Sequence, residues 1–294
     1  MTLGMLRPHA MVRTRLRNRI ATRMTHRDIE LIVLDLDGTL LDDRRRVPAR
    51  NIAAVRAAHA AGVKVVLCSG RMLPNMQQTH DRLGLDLVLG GYNGAKVVDT
   101  QANGRQVIFH RPISAVQSEA IATTAAACGW LVNFYHEDRL LGHYQDRHRW
   151  LIELYQRRGG VRYEFVCPEE VNGLPSTKMI VLAHPDEIPL VVRELDPHLR
   201  GLSWVKSDPE YVEIMADGVH KGAALKAIAA HYGVELEACM AIGDASNDRE
   251  MLATAGLGVA MANASEETLA AADVVLDLDN NECGVAHAIE SYVL

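Results

Sequence analysis

Four sets of polar residues in this 294-residue chain stand directly beside short apolar runs. Asp35-Leu36-Asp37-Gly38-Thr39 follows Leu31-Ile32-Val33-Leu34, and Ser69-Gly70-Arg71 follows the run from Val63 to Cys68. Gly243-Asp244-Ala245-Ser246-Asn247-Asp248 follows Cys239-Met240-Ala241-Ile242, and Lys221 opens a helical stretch. In extended backbone, residues i and i+2 point the same way, which would set Asp35 and Asp37 side by side. Paired carboxylates repel and need a cation or a shared proton. Asp244 and Asp248 add negative charge, and an all-oxygen donor set without His or Cys suits Mg²⁺ rather than zinc. Lys221 and Arg71 offer positive charge to an anion, while Ser69 and backbone N–H groups at strand–helix turns offer hydrogen bonds. A metal-binding acid cluster beside an anion cradle is the equipment of phosphoryl transfer. A carboxylate is already deprotonated at neutral pH and can attack without a base. The product would be an acyl phosphate. A second carboxylate two residues on can protonate the leaving alkoxide, then deprotonate the attacking water. Mg²⁺ would screen nucleophile from phosphate.

These residues are far apart in the chain, so the elements between them must bring them to one rim. From Ile29 onward short apolar runs alternate with helical stretches. Asn51 to Ala61 reads as an Ala-rich helix stopped by Gly62, Lys221 to His231 as one stopped by Gly233, and Asn247 to Thr254 as one closed by Gly256. Leu87 to Leu89, Leu257 to Met261 and Val274 to Leu276 add strands. Continuous apolar strands alternating with helices predict an α/β fold, a doubly wound, Rossmann-like parallel sheet covered on both faces. Ligands of such sheets sit at the carboxyl ends of the strands, where the polar clusters fall.

The stretch 96–207 reads differently. Lys96-Val97-Val98 and Gln106 to Phe109 flank Asn103-Gly104, a hairpin signal. A helix from Ser114 to Cys128, strands at 131–135, 140–144, 179–182 and 202–205, and a helix from Glu187 to Glu194 follow. This mixture predicts an α+β cap inserted into a core of 28–95 and 208–294. The cap would close over the cleft, exclude water and select the leaving group. Tyr135, Arg162 and Lys178 are candidates to reach a substrate from it. His136, His143, His148 and Trp150 show no metal-ligand spacing and are read as surface or pocket residues.

Composition bounds the possibilities. Hydrophobic residues make up 48% and charged residues 23%, ordinary values for a globular chain. No apolar run reaches the length of a membrane span. Five cysteines, odd in number and without a CxxC pair, suit a reduced, cytoplasmic protein. Residues 1–27 hold seven Arg and no acid, which leaves the remainder near −13 and unsuited to nucleic acid. That tail is expected to be a disordered leader rather than a targeting segment or an anion-binding arm, with Met24 as an alternative start.

The set Asp35-Leu36-Asp37-Gly38-Thr39-Leu40, Ser69-Gly70-Arg71, Lys221 and Gly243-Asp244-x-x-Asn247-Asp248 resembles the four motifs of the haloacid dehalogenase (HAD) superfamily. Tyr92-Asn93-Gly94-Ala95, Gly258-Val259-Ala260-Met261-x-Asn263-Ala264 and Asn281-x-x-Gly284-Val285-Ala286 resemble its Cof-type subfamily. The resemblance runs from Ile29 to the C-terminus. It implies Asp35 as nucleophile and metal ligand, and Asp37 as acid and base with its backbone carbonyl on Mg²⁺. It implies Ser69 as a phosphoryl-binding hydroxyl and Lys221 as the cation stabilising both partners. Asp244 would be a further metal ligand, with Asp248 and Asn247 supporting the metal shell. Gly70, Arg71, Asn93, Gly94, Asn247 and Lys178 are the candidates for phosphate or substrate contact. The expectation is a Mg²⁺-dependent phosphatase of small phosphorylated metabolites, sugar phosphates first and nucleotide or cofactor phosphates next. It would be a monomer or homodimer without nucleic-acid or membrane partners. A phosphotransferase or phosphomutase on the same scaffold is the alternative. A non-catalytic sensor would not need both Asp35 and Asp37.

Overall fold

The computed structural model describes residues 29–100 and 105–294. The Arg-rich segment with its alternative start, and the Asn103-Gly104 turn, lie outside the described residues. In chain order the strands are β1 (Leu31–Leu34), β2 (Lys64–Cys68), β3 (Val88–Gly91), β4 (Lys96–Asp99), β5 (Gln106–His110), β6 (Leu131–His136) and β7 (Arg139–Gly142). They continue as β8 (Glu164–Phe165), β9 (Lys178–Leu182), β10 (Leu202–Asp208), β11 (Tyr211–Ala216), β12 (Cys239–Gly243), β13 (Leu257–Ala260) and β14 (Val274–Val275). The helices are α1 (Ala49–Ala60), α2 (Leu73–Leu83), α3 (Ala115–Cys128), α4 (Arg149–Gly159) and α5 (Ile188–Leu195). After the second sheet come α6 (Lys221–Tyr232), α7 (Arg249–Thr254), α8 (Glu266–Ala271) and α9 (Gly284–Tyr292). None of the described helices is long and apolar enough to cross a membrane.

Two sheets are formed. The larger has the order β14-β13-β12-β1-β2-β3-β4-β5, and the smaller β10-β11-β9-β6-β7-β8. The described chain divides into two compact units, one of 29–69, 79–88 and 221–294, the other of 70–78 and 89–220.

In the first unit β1 lies between β12 and β2, parallel to both, with Leu34 opposite Ile242 on one side and Leu67 on the other. This register matters for the chemistry. The chain leaves all three strands at the same edge, so Asp35, Ser69 and the Gly243–Asp248 loop start from neighbouring points. All four residues of β1 are buried, as the unbroken apolar run requires of a strand covered on both faces. Asn51, buried in α1, ties three segments together. Its Nδ2 donates to the Leu40 carbonyl (3.2 Å), and its Oδ1 accepts from the Ala286 N–H in the first turn of α9 (3.0 Å). That N–H has no partner within its own helix. Gly222 in α6 faces the Glu250 carbonyl of α7 so closely that any Cβ would overlap it.

In the second unit the six-stranded sheet is antiparallel apart from the β7–β8 pair. One face packs on α3 and α5 through Ile121, Phe134, Met179, Val181, Val191 and Ile214. The structure revises the sequence reading at several points. β11 was not anticipated, and it pairs with both β9 and β10, so this sheet extends beyond residue 207. Pro209 sits in the tight turn between β10 and β11, where proline is at home. The β4–β5 pair belongs to the larger sheet rather than to the inserted one. Helices α2 and α4 were missed, because their polar faces hide a thin apolar stripe. Of the surface and pocket readings of His148, burial excludes the first, and its Nε2 donates to the Gly129 carbonyl at 2.8 Å.

Replacing Asn51 by Leu keeps the volume but strands a buried carbonyl and a buried N–H. The expected loss is about 2–4 kcal/mol of unfolding free energy, measurable by urea denaturation.

Candidate active site

Asp35 is the first residue past β1, and only 4% of it is exposed. Its Oδ1 accepts a hydrogen bond from Lys221 Nζ at 2.5 Å. Lys221 opens α6 and is itself 1% exposed, and the same Nζ donates to Asp248 Oδ1 at 2.5 Å. The other oxygen of Asp248 accepts the backbone N–H groups of Asp244 and Ala245, each at 3.0 Å. Asp248 therefore does two things. It folds the loop after β12 into one shape and pins the lysine that reaches Asp35.

The loops after β1 and β12 are locked together. Thr39 Oγ1 donates to Asp244 Oδ1 (2.6 Å), and Asn263 Nδ2 donates to the Gly38 carbonyl (2.8 Å) and to Asp244 Oδ2 (3.4 Å). Gly38 has φ +79°, and a Cβ there would strike the Asp244 carboxylate. Only glycine meets both requirements cheaply. Thr39, Gly38 and Asn263 were not among the candidate residues, although all three lie inside the motif strings. Spacing cannot show that Gly38 and Thr39 meet an acid more than two hundred positions away, or that Asn263 bridges the two loops.

The carboxylates that converge are those of Asp35, Asp244 and Asp248, with oxygens within 4.8 Å of one another. Asp37 stands just beyond, exposed. The extended backbone expected from Asp35 to Asp37 is absent. β1 ends at Leu34, and the chain turns, with the Leu41 N–H on the Leu36 carbonyl at 2.9 Å. Three buried or partly buried acids face one ammonium, an excess of two negative charges. Burial raises the Asp35 carboxyl to about 8; Asp248 adds to the rise and Lys221 opposes it. Burial also takes Asp244 to about 6, against the hydrogen bond from Thr39. Burial disfavours the charged lysine too, but Asp35 and Asp248 outweigh it and hold Lys221 protonated. A divalent, oxygen-seeking cation would cancel the surplus and match the donor set, so the residues fit a Mg²⁺ site at Asp35 and Asp244.

Ser69 is buried directly after β2, and Asn247 is half-buried in the 3₁₀ turn from Ser246 to Asp248. Gly70, Arg71, Asn93, Gly94 and Lys178 belong to the second unit. There the Arg71 carbonyl accepts the Tyr92 N–H (2.8 Å), and both Tyr92 and Asn93 take φ +55°. Lys178 is buried and paired with Glu213 at 2.6 Å, so its charge is already matched within its own sheet.

An acid cluster at the carboxyl edge of a parallel sheet, with a buried lysine on its first aspartate, is the layout of a HAD-type hydrolase. The profile of haloacid dehalogenase-like hydrolases matches residues 32–289. The chain belongs to that family; it is a Cof-type member and a phosphoric monoester hydrolase. It is 32% identical over 267 residues to a 5-amino-6-(5-phospho-D-ribitylamino)uracil phosphatase of Bacillus subtilis, covering 91% of this chain and 97% of that protein. Its structure resembles a haloacid dehalogenase-like hydrolase from Bacteroides thetaiotaomicron with a TM-score of 0.80, at 26% identity over 90% of this chain and 99% of the other. It also resembles a HAD subclass IIB sugar phosphatase, with a TM-score of 0.74 at 26% identity, covering 90% and 98%.

Lys221→Met should leave Asp35 and Asp248 buried without a counter-charge and cost about 3–5 kcal/mol of stability. Adding Asp248→Asn should restore part of that loss, and equilibrium unfolding of the single and double variants provides the comparison.

Proposed function

We propose that this protein is a Mg²⁺-dependent phosphatase of small phosphomonoesters that works through an aspartyl-phosphate on Asp35. The observation that carries the reading is the buried Lys221 ammonium on Asp35 Oδ1. It holds one carboxylate oxygen in place and leaves the other to attack. Asp35 forms a new O–P bond as the bond to the leaving alkoxide breaks, and Asp37, exposed beside it, gives that alkoxide its proton. Asp37 then takes a proton from water as the water attacks phosphorus, and the Asp35–phosphate bond breaks to release inorganic phosphate. Lys221 and the Ser69 hydroxyl stabilise the negative charge of the transferring group. Mg²⁺, held by Asp35, Asp244 and the Asp37 carbonyl, would supply charge neutralisation between nucleophile and phosphate. Asp248 and Asn247 support that shell, and Gly70, Arg71, Asn93 and Gly94 are proposed to contact phosphate or substrate. Lys178 acts at most through the arrangement of Glu213.

Sugar phosphates are the first substrate class, with nucleotide and cofactor phosphates next. The resemblance to a sugar phosphatase and to a phosphatase of a phosphorylated ribityl compound supports a polyhydroxylated leaving group.

A panel of phosphorylated metabolites assayed for free phosphate tests this reading. Release should require Mg²⁺, stop with EDTA and return with added Mg²⁺; activity indifferent to the chelator would reject the metal assignment. Asp35→Asn should lower kcat at least about a thousandfold and still fold, because Lys221 keeps Asp248 as its partner. Full turnover in that variant would reject covalent catalysis. Millimolar MgCl₂ should also raise Tm by several degrees over EDTA, roughly 5 °C at a hundred times Kd, and Asp244→Asn should erase most of that shift.

A further inference from the structure

The six-stranded sheet of the second unit ends differently at its two sides. On one side the last strand is β8, only two residues long. On the other it is β10, at seven residues the longest of the described strands. Sheets usually guard a free edge by keeping its strand short or by covering it. Here the stretch from Trp204 to Ser207 is exposed, and Trp204 and Val205 keep 43% and 45% of their surface in solvent.

The register shows which backbone groups this edge leaves open. The Asp217 N–H donates to the Gly201 carbonyl (3.3 Å), and Val205 lies opposite Glu213 in the same ladder. Bonded pairs alternate along an antiparallel ladder, so Gly201, Ser203 and Val205 turn their N–H and C=O groups toward β11. Leu202, Trp204 and Lys206 turn theirs toward the free edge. The Leu202 N–H is taken by the Leu199 carbonyl (3.0 Å), and the register shifts between Lys206 and Asp208. Among the described residues, the fully open ladder is therefore confined to Trp204 and Lys206.

Those groups select their partner. A two-fold axis through Val205 brings an antiparallel copy of β10 to this edge, with Trp204 opposite Lys206 of the second copy and Lys206 opposite its Trp204. Every N–H and C=O of both residues is then bonded across the seam. An axis through Trp204 would instead face Lys206 with the engaged N–H of Leu202. An axis through Lys206 would set two ammonium groups side by side. The side chains fit the same register. Trp204 and Lys206 are two apart and share a face, so each indole meets an ammonium of the other copy, a cation–π contact. Val205 meets its own counterpart in the close, non-bonded pair. A lysine on an edge strand ordinarily repels a second copy; in this register it is attracted.

We propose that β10 is the contact of a two-fold homodimer, in which the six-stranded sheets of two copies join into one continuous sheet. None of the residues assigned to phosphoryl transfer takes part. One strand from each copy makes a small interface, so Kd should fall at about 1–100 µM.

Sedimentation velocity of the full-length protein from roughly 1 to 300 µM tests this. The wild type should pass from monomer to dimer, and Lys206→Pro should stay monomeric. The N–H lost in that variant is one that β11 does not use, and edge strands tolerate proline, so its circular dichroism should match the wild type. Trp204→Ala removes both indole–ammonium contacts and should weaken the dimer at least about fivefold. Oxidation tests the register independently. Val205→Cys places two thiols within disulfide reach across the non-bonded pair and should link the copies through position 205, as read by peptide mass spectrometry. Ser203→Cys, on the same face but far from its own counterpart, should not link through position 203. The cysteine variants decide the matter if Lys206→Pro fails to fold. The proposal is overturned by a wild type that stays monomeric throughout, by undiminished dimerisation of folded Lys206→Pro, or by linkage at position 205 no better than at position 203.

Discussion

The site is organised by one buried cation. Lys221 cannot be neutral between two carboxylates, and it cannot be solvated at 1% exposure. It therefore has to be held by Asp35 and Asp248 together. A buried ion pair of this kind adds little to net stability, because desolvation consumes most of the Coulombic gain. Its value is positional. The ammonium fixes the rotamer of Asp35, and the second carboxylate shares its oxygens between the lysine and two backbone N–H groups, coupling the aim of the lysine to the shape of the Asp244 loop. One arrangement satisfies all of these partners, and departures from it expose a buried charge.

Around this pair, small residues hold the acids close without allowing them to touch. Gly38 gives Asp244 room, Thr39 donates to one oxygen of Asp244, and Asn263 bridges the Gly38 carbonyl to the other. Burial, with neighbouring acids adding to it, raises the pKa values of Asp35 and Asp244, and three acids around one ammonium form a donor set that suits a divalent cation.

The six-stranded sheet separates two kinds of surface. Its helix-covered face is a conventional apolar core. Its other face carries polar groups that satisfy one another: Tyr163 donates to Asn133 (2.6 Å), Lys178 pairs with Glu213, and Tyr135 and Tyr155 join through their hydroxyls. Lys178, a candidate substrate contact when read along the chain, is paired in the fold with Glu213.

Much of the catalytic unit was legible in the residue order. Uninterrupted apolar runs can only be strands buried on both faces, and glycines past the helices mark their ends, so the parallel sheet and the polar residues at its edge follow from local rules. Of the residues that the motif strings named, Asp35, Lys221, Asp244 and Asp248 meet in the fold. What local rules could not reach was anything decided by long-range pairing. β11 joined the second sheet because β9 and β10 offered it hydrogen-bonding edges, and β4 with β5 joined the first. The turn at Asp37 took the place of an extended strand, so the Asp37 side chain stands outside the cluster of Asp35, Asp244 and Asp248. The reason is physical: periodicity reports how a segment meets its immediate surroundings, whereas the partner of a buried charge is chosen by the whole chain at once. The chain order determined which chemistry the protein carries, and tertiary packing decided which oxygen faces which nitrogen.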